Sequence, residues 1–242
     1  MCDTCNCGDN GSSVSISKPG EGAYGHGNKS RKVQVEINVL ARNDETATRN
    51  RAYFARENIL ALNLVSSPGS GKTTILERTI ADLHDQLEIA VIEGDQQTLR
   101  DAERIRATGV EAIQINTGTG CHLDAEMIHN ALHQLPLKSD SILFIENVGN
   151  LVCPALFDLG EAAKVVIISV TEGEDKPEKY PHMFKAASLC LVNKTDLLPH
   201  LNFDVAACLN FARQVNPDLE FIEISATTGE GMAAWYSWLK NR

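Results

Sequence analysis

Three of the seven cysteines fall within the first seven residues, at Cys2, Cys5 and Cys7. Thiolates at that spacing can wrap one soft or borderline cation, with the α-amine or a backbone nitrogen as a fourth ligand. Left without a metal, three surface thiols would be an oxidation liability, so metal binding is the better reading. A second pair, Cys121-His122, follows the glycines of Thr117-Gly118-Thr119-Gly120. It reads as delivered onto the start of a helix, whose positive end favours the Cys121 thiolate. Two adjacent side chains cannot close a tetrahedral site, so this pair needs ligands from elsewhere in the chain or from a second copy. Cys153, in Asn150-Leu151-Val152-Cys153-Pro154, is one candidate, although a single cysteine is as often a small buried hydrophobe. Cys190, inside an apolar run, and Cys208, beside Leu209, read as core. His129 and His133 stand at i, i+4 on a helix face shared with His122 and Glu126. That face reads as the wet side opposite Leu123, Met127 and Leu135, with an extended metal site as the alternative.

A second chemistry is written at Ser66-Ser67-Pro68-Gly69-Ser70-Gly71-Lys72-Thr73-Thr74. The segment matches the phosphate-binding loop G-x-x-x-x-G-K-S/T except at its first position, where Ser66 replaces glycine. Gly69, Ser70, Gly71, Lys72, Thr73 and Thr74 form the candidate cradle. The glycines let successive N–H groups point at phosphate oxygens, and the following helix adds its positive end. Lys72 is placed to reach the outer phosphates and the Thr73 hydroxyl to ligate Mg²⁺.

Further along, Asn193-Lys194-Thr195-Asp196 ends an apolar run. A carboxylate at Asp196 can accept from both N1–H and the 2-amino group of guanine. Adenine lacks those donors and would leave it unpaired. Asn193 would brace the loop or touch the base edge, while the Lys194 stem covers one ring face. Ser225-Ala226 resembles the element that meets guanine from the other side. In this order after a phosphate loop, the elements specify GTP. Glu146, with Gly149 three residues on, stands where a GTPase usually has D-x-x-G. Asp95, after Glu93-Gly94, adds a carboxylate at the same sheet edge, within reach of Mg²⁺ or its water shell.

These residues need a scaffold, and the apolar pattern supplies one. Short runs at Ile59–Val65, Ile89–Ile92, Ala112–Ile115, Ile142–Ile145, Val165–Val170, Leu189–Val192 and Leu219–Ile224 alternate with helical segments such as Thr73–Leu87, Leu123–Leu135, Asp204–Val215 and Gly231–Lys240. That alternation predicts an α/β fold with a mostly parallel sheet covered by helices on both faces. Residues 1–31 hold six of the 17 glycines and few large apolar side chains, which reads as a flexible metal-binding tail. Val33, Ile37, Leu40, Ala47 and Phe54 give 32–58 as an N-terminal helical extension of one helix or two, with Asn43-Asp44 able to cap the second. Residues 59–242 form the G domain.

With 22 Lys+Arg against 32 Asp+Glu, the net charge of −10 argues against a broad basic face for nucleic acid. The longest aliphatic run, Val165-Val166-Ile167-Ile168, is too short for a membrane helix, and no secretion signal opens the sequence. We expect a cytoplasmic chain with neither nucleic acid nor membrane as a partner.

Over nearly its whole length the sequence resembles the nickel-incorporation GTPases of nickel–iron hydrogenase maturation. The match is carried by the Cys2/Cys5/Cys7 tail, Leu64–Thr74, Glu93–Thr98, Gly120–Asp124, Glu146–Pro154, Asn193–Asp196 and Ser225–Gly231. The resemblance implies a P-loop NTPase with a SIMIBI-type G domain, GTP-promoted homodimers and slow hydrolysis of GTP to GDP. It also implies a tight Ni²⁺ site on the tail and a second Ni²⁺ or Zn²⁺ site from Cys121, His122 and Cys153. The implied partners are the hydrogenase large-subunit precursor and other nickel-delivery accessory proteins. Some relatives carry a long histidine-rich nickel store, for which this chain has only Gly25-His26-Gly27. No glutamine or arginine finger follows the switch, so hydrolysis would rest on positioning and Mg²⁺. Two alternatives remain, a urease-type nickel accessory GTPase and a GTP-regulated zinc-binding interaction module. The urease-type proteins carry Cys-Pro-His in one motif, whereas Cys-His and Cys-Pro are separate here.

Replacing Cys2, Cys5 and Cys7 by Ala is expected to remove the tighter nickel site and leave GTP hydrolysis almost intact. Nickel stoichiometry and turnover of the purified variant check this, and equal loss of both would make the tail integral to the fold.

Overall fold

Each of the seven apolar runs forms a strand. The computed structural model describes residues 29–95 and 100–242, with side chains described for 38–95 and 103–242. Cys2, Cys5 and Cys7 lie outside the described residues.

A long first helix, α1 (Lys29–Arg56), leads into β1 (Leu60–Ser66), α2 (Lys72–Leu83), β2 (Ile89–Asp95), α3 (Arg100–Arg106) and β3 (Glu111–Asn116). Then come α4 (Ala125–Leu132), β4 (Ile142–Glu146), a 3₁₀ turn at Cys153–Ala155 and β5 (Ala163–Ser169). The chain continues through α5 (Lys176–Lys179), α6 (Pro181–Ala186), β6 (Leu189–Asn193) and a second 3₁₀ turn, Thr195–His200. It ends with α7 (Val205–Val215), β7 (Glu220–Glu223) and α8 (Met232–Lys240). The strands form one sheet in the order β3-β2-β4-β1-β5-β6-β7, with every neighbouring pair parallel.

Alternation along the strands assigns the two faces. Leu62 and Leu64 of β1, Val91 of β2 and Phe144 of β4 pack with Ile75, Leu76 and Ile80 of α2 and with Trp235 and Trp238 of α8. The Trp235 indole donates to Thr79 Oγ1 at 2.9 Å, so its one polar atom is satisfied in the core. Ala61, Ile92, Leu143 and Ile145 turn the other way, against Phe54 of α1 and Ile128 and Ala131 of α4. On that face, β5 and β6 pack against Met183, Phe184, Cys208 and Ala212. Cys190 and Cys208 are buried, as expected of core positions. Burial drives the Cys208 thiol up to about 12 and the Cys190 thiol well above its ordinary value, so both stay protonated.

Two local expectations are corrected. The N-terminal extension is one continuous helix, and Asn43 lies inside it rather than capping a second. The Asn43 amide donates to Asp158 O at 2.8 Å, and its oxygen accepts from Ala125 N–H at 2.9 Å. Two turns later the fully buried Asn50 donates to Ala125 O at 2.9 Å and Leu159 O at 3.1 Å. A polar seam thus takes the place a cap would have, because its partners are distant in sequence. The second correction concerns α4, which begins at Ala125, capped by Asp124 accepting from Met127 N–H at 2.8 Å. Cys121 and His122 precede that cap in a loop. A helix-end field falls off within one turn, so it gives the Cys121 thiolate little help.

Among the described residues no helix is long and apolar enough to cross a membrane. Asn50→Ala is expected to lower unfolding free energy by about 1–3 kcal/mol, since it strips donors from two carbonyls in a dry seam. Urea unfolding of the parent and the variant measures this, and an unchanged midpoint would mean that the seam does not hold α1 in place.

Candidate functional site

The carboxyl ends of β1, β2 and β4 open onto a cavity of about 560 Å³ lined by Ser66 to Thr74, Glu93 to Asp95, Arg104, Glu146, Val148, Gly149 and Lys194. Ser66 closes β1 in extended conformation, so the missing glycine costs no backbone strain. Gly69 and Gly71 take φ of 77° and 92°, where a side chain would be strained. At Gly71 a Cβ would also collide with the Asn193 amide.

Asn193 braces two loops. Its amide donates to Ser70 O at 2.8 Å while its oxygen accepts from Ala226 N–H at 3.2 Å. Of the two roles considered for Asn193, the bonds observed are those of a brace. Lys194, at φ 64°, lays its stem over the phosphate loop and donates to Gly69 O at 2.7 Å. Ser225 Oγ donates to Asp196 Oδ1 at 2.6 Å, which fixes the orientation of that carboxylate.

On the phosphate side, Glu146 Oε1 accepts from Lys72 Nζ at 2.8 Å and from Thr73 Oγ1 at 2.6 Å. Its other oxygen is buried without a protein hydrogen-bond partner, and Glu146 as a whole is 1% exposed. A buried anionic oxygen beside a P-loop threonine hydroxyl fits a divalent cation ligand. Asp95 lines the same cavity from the end of β2, and at Gly149 a Cβ would crowd Pro68 of the loop, at 3.2–3.3 Å.

Across the sheet, Cys121, His122 and Cys153 converge. One ligand atom from each lies within 4.8 Å of the others. Cys121 Sγ sits 3.0 Å from Cys153 Sγ and 3.6 Å from His122 Nδ1. The His122 ring packs on Phe157, with centroids 4.0 Å apart, and burial holds its pKa below the usual histidine value. It is therefore a neutral imidazole, the form that ligates a metal. Two thiols and an imidazole this close together suit Ni²⁺ or Zn²⁺, and three donors are one short of a tetrahedral set.

Residues 60–223 match the family profile described as "CobW/HypB/UreG, nucleotide-binding domain". The chain is 61% identical over 237 residues to "Hydrogenase maturation factor HypB" of Escherichia coli (strain K12), covering 94% of this chain and 82% of that protein. The chain belongs to the HypB hydrogenase maturation factors. Two HypB crystal structures share the fold, both at 40% identity. That of Archaeoglobus fulgidus superposes with a TM-score of 0.78 over 83% of this chain and 98% of its own. HypB of Helicobacter pylori in complex with nickel gives 0.79 over 83% of this chain and 94% of its own. The P-loop, SIMIBI-type arrangement expected from the sequence is the HypB fold observed here.

The HypB frame also exposes residues that the sequence reading passed over. Asn147, 1% exposed, accepts through Oδ1 from Leu123 N–H at 3.1 Å and donates to Asn63 Oδ1 at 3.2 Å. It thereby ties the residue after His122 to the strand that ends in Glu146. Gly94 has no side chain because Leu123 occupies the space a Cβ would need. Thr117, opening the Cys-His loop, bonds back to Asp95 O at 2.9 Å through its N–H. Sequence spacing gave no signal for these pairings, although a buried Asn amid Phe144–Gly149 invites the question of its partner.

Lys72→Ala is expected to reduce GTP turnover by about 10²–10³-fold. Phosphate release assays check this, and retained turnover would contradict the assignment of the loop. Asp196→Asn is expected to weaken GTP binding by about 10–100-fold while raising relative preference for XTP, as competition binding would show.

Proposed function

We propose that this protein is a GTP-hydrolysing nickel metallochaperone. It inserts nickel into the nickel–iron hydrogenase precursor, with its nucleotide state coupled to dimerisation and metal release. The observation that carries the reading is the placement of the Cys121/His122/Cys153 donors within one buried residue, Asn147, of the Glu146 nucleotide switch. The nickel complex of the Helicobacter pylori relative supports nickel as cargo.

On this reading Gly69–Thr74 wraps the phosphates, with Lys72 on the outer oxygens. Asn193 holds the base loop against the phosphate loop, and Asp196, oriented by Ser225, accepts from guanine. Mg²⁺ would be held by Thr73, Glu146 and Asp95. Its chemistry there is to neutralise charge on the phosphate oxygens as the terminal bond breaks. The second oxygen of Glu146 is free for the cation, and Lys72 must leave the first for its amine to reach phosphate. Any shift of Glu146 displaces Asn147 beside it, and with it the N–H of Leu123 and the His122 ligand. Gly149 carries the same displacement on to Cys153.

Val152 and Leu156 flank Cys153 and are 57% and 54% exposed. Large apolar side chains left in water beside an open metal face support a second copy of the chain as their cover. Two such copies would bring two donor sets together and complete a site that three ligands leave open. Thiolate ligands of this kind persist in a reducing compartment, which favours the cytoplasm. The tail cysteines Cys2, Cys5 and Cys7 would form the tighter nickel site.

Nickel-loaded protein mixed with nickel-free hydrogenase precursor should transfer metal at least about tenfold faster with GTP and Mg²⁺ than with GDP. Cys153→Ala should abolish that acceleration while turning over GTP. Equal transfer rates with GTP and GDP would leave a nucleotide-binding metal protein without a delivery cycle.

A further inference from the structure

The His129/His133 face is wet at Glu126 and His133, while the half-buried His129 reaches inward. Its Nδ1 lies 3.2 Å from Asn50 Oδ1, and Asn50 is completely buried. The Asn50 amide nitrogen spends its hydrogens on Ala125 O and Leu159 O, so the carbonyl end of the side chain must face the imidazole. An acceptor there requires the proton on Nδ1, which leaves the lone pair of neutral His129 on Nε2. That atom stands 3.4 Å from His133 Nε2, with the two rings edge to face at 85°.

We propose that His129 and His133 form a further binding site for a divalent transition-metal cation, at the C-terminal end of α4 and separate from the Cys121/His122/Cys153 donors. Two imidazole nitrogens each about 2.0–2.1 Å from one cation, at a tetrahedral angle, stand about 3.3–3.4 Å apart. The observed separation is that edge. A hydrogen bond from the ring nitrogen away from the metal to a rigid amide fixes the tautomer and orients the ring, which is how protein ligands are usually prepared for metal. His133 is exposed, so the cation can enter from water and leave to it. Glu126, one turn before His129, adds negative charge to the same face, with Oε2 at 3.5 Å from Thr46 Oγ1. Imidazole donors select Ni²⁺, Zn²⁺ or Cu²⁺ over Mg²⁺ or Ca²⁺. With two protein ligands and the rest water, the site is weaker and faster to exchange than a thiolate site. This inference does not depend on nickel delivery, since it follows from the His129–Asn50–His133 geometry alone.

The test is nickel binding by the full chain, followed by equilibrium dialysis at sub-millimolar free Ni²⁺ in the parent, His133→Gln and His129→Gln. Each variant should bind one equivalent fewer than the parent, with thiolate-to-nickel absorption unchanged. Zn²⁺ added to the parent should shift the His129 and His133 ring resonances together. Equal stoichiometry in all three proteins would overturn the site. So would a loss confined to one of the two variants, because a chelate needs both arms. GTP hydrolysis should be the same in all three, which separates failure of this site from failure of the GTPase reading.

Discussion

Two consecutive residues at the carboxyl end of one central strand point to opposite faces of the sheet, and both functional regions hang from them. Glu146 turns toward α2 and accepts from Lys72 and Thr73. Asn147 turns toward α4 and accepts from Leu123 N–H. Strand geometry imposes this: neighbours in an extended chain face opposite ways. Both residues are at most 1% exposed, and water cannot readily replace the bonds they make. A buried carboxylate shared by an amine and a hydroxyl is a strong local constraint, and charge-assisted bonds of this kind contribute about 1.5–3 kcal/mol each.

The rest of the architecture fastens these two residues in place. Asn63 in β1 holds Asn147 from behind and itself donates to Glu161 Oε1 at 3.1 Å. Glu161 also takes the Lys164 ammonium at 2.5 Å and the Leu159 N–H at 2.6 Å. The loop that follows Cys153 is therefore fastened to the sheet through one buried ionic cluster. From outside, α1 grips the same loop at Asp158 and Leu159 and the start of α4 at Ala125. Within the short stretch from Gly149 to Cys153, Asn150 donates to Cys121 O at 3.1 Å, which ties the two cysteine-bearing loops together.

Much of this was legible in the sequence. All seven strands announce themselves as short apolar runs, because a parallel sheet covered on both faces needs hydrophobic residues at successive positions. The phosphate loop, Asn193-Lys194-Thr195-Asp196 and Ser225-Ala226 were legible because local spacing alone determines their geometry. Cys153 was not decidable from its neighbours, since ligand or core depends on what lies across the fold, and there it meets Cys121. Asn43 and Asn50 were hidden for the same reason, their partners lying 75 to 115 residues away. The α4 boundary was misplaced because Leu123 continues the apolar period while its N–H belongs to Asn147 rather than to a helix.

The claim that Glu146 and Asn147 carry nucleotide state to the metal donors is tested by a thermodynamic cycle. Nickel affinity at the Cys121/His122/Cys153 donors is measured with GDP and with a non-hydrolysable GTP analogue, in a background lacking Cys2, Cys5 and Cys7. The same pair of titrations is repeated with Asn147→Ala, its folding verified by thermal unfolding. The account predicts a difference of about 5–150-fold between nucleotide states in the parent, collapsing to within about twofold in the variant. Equal affinities in the parent, or a difference that survives Asn147→Ala, would contradict it.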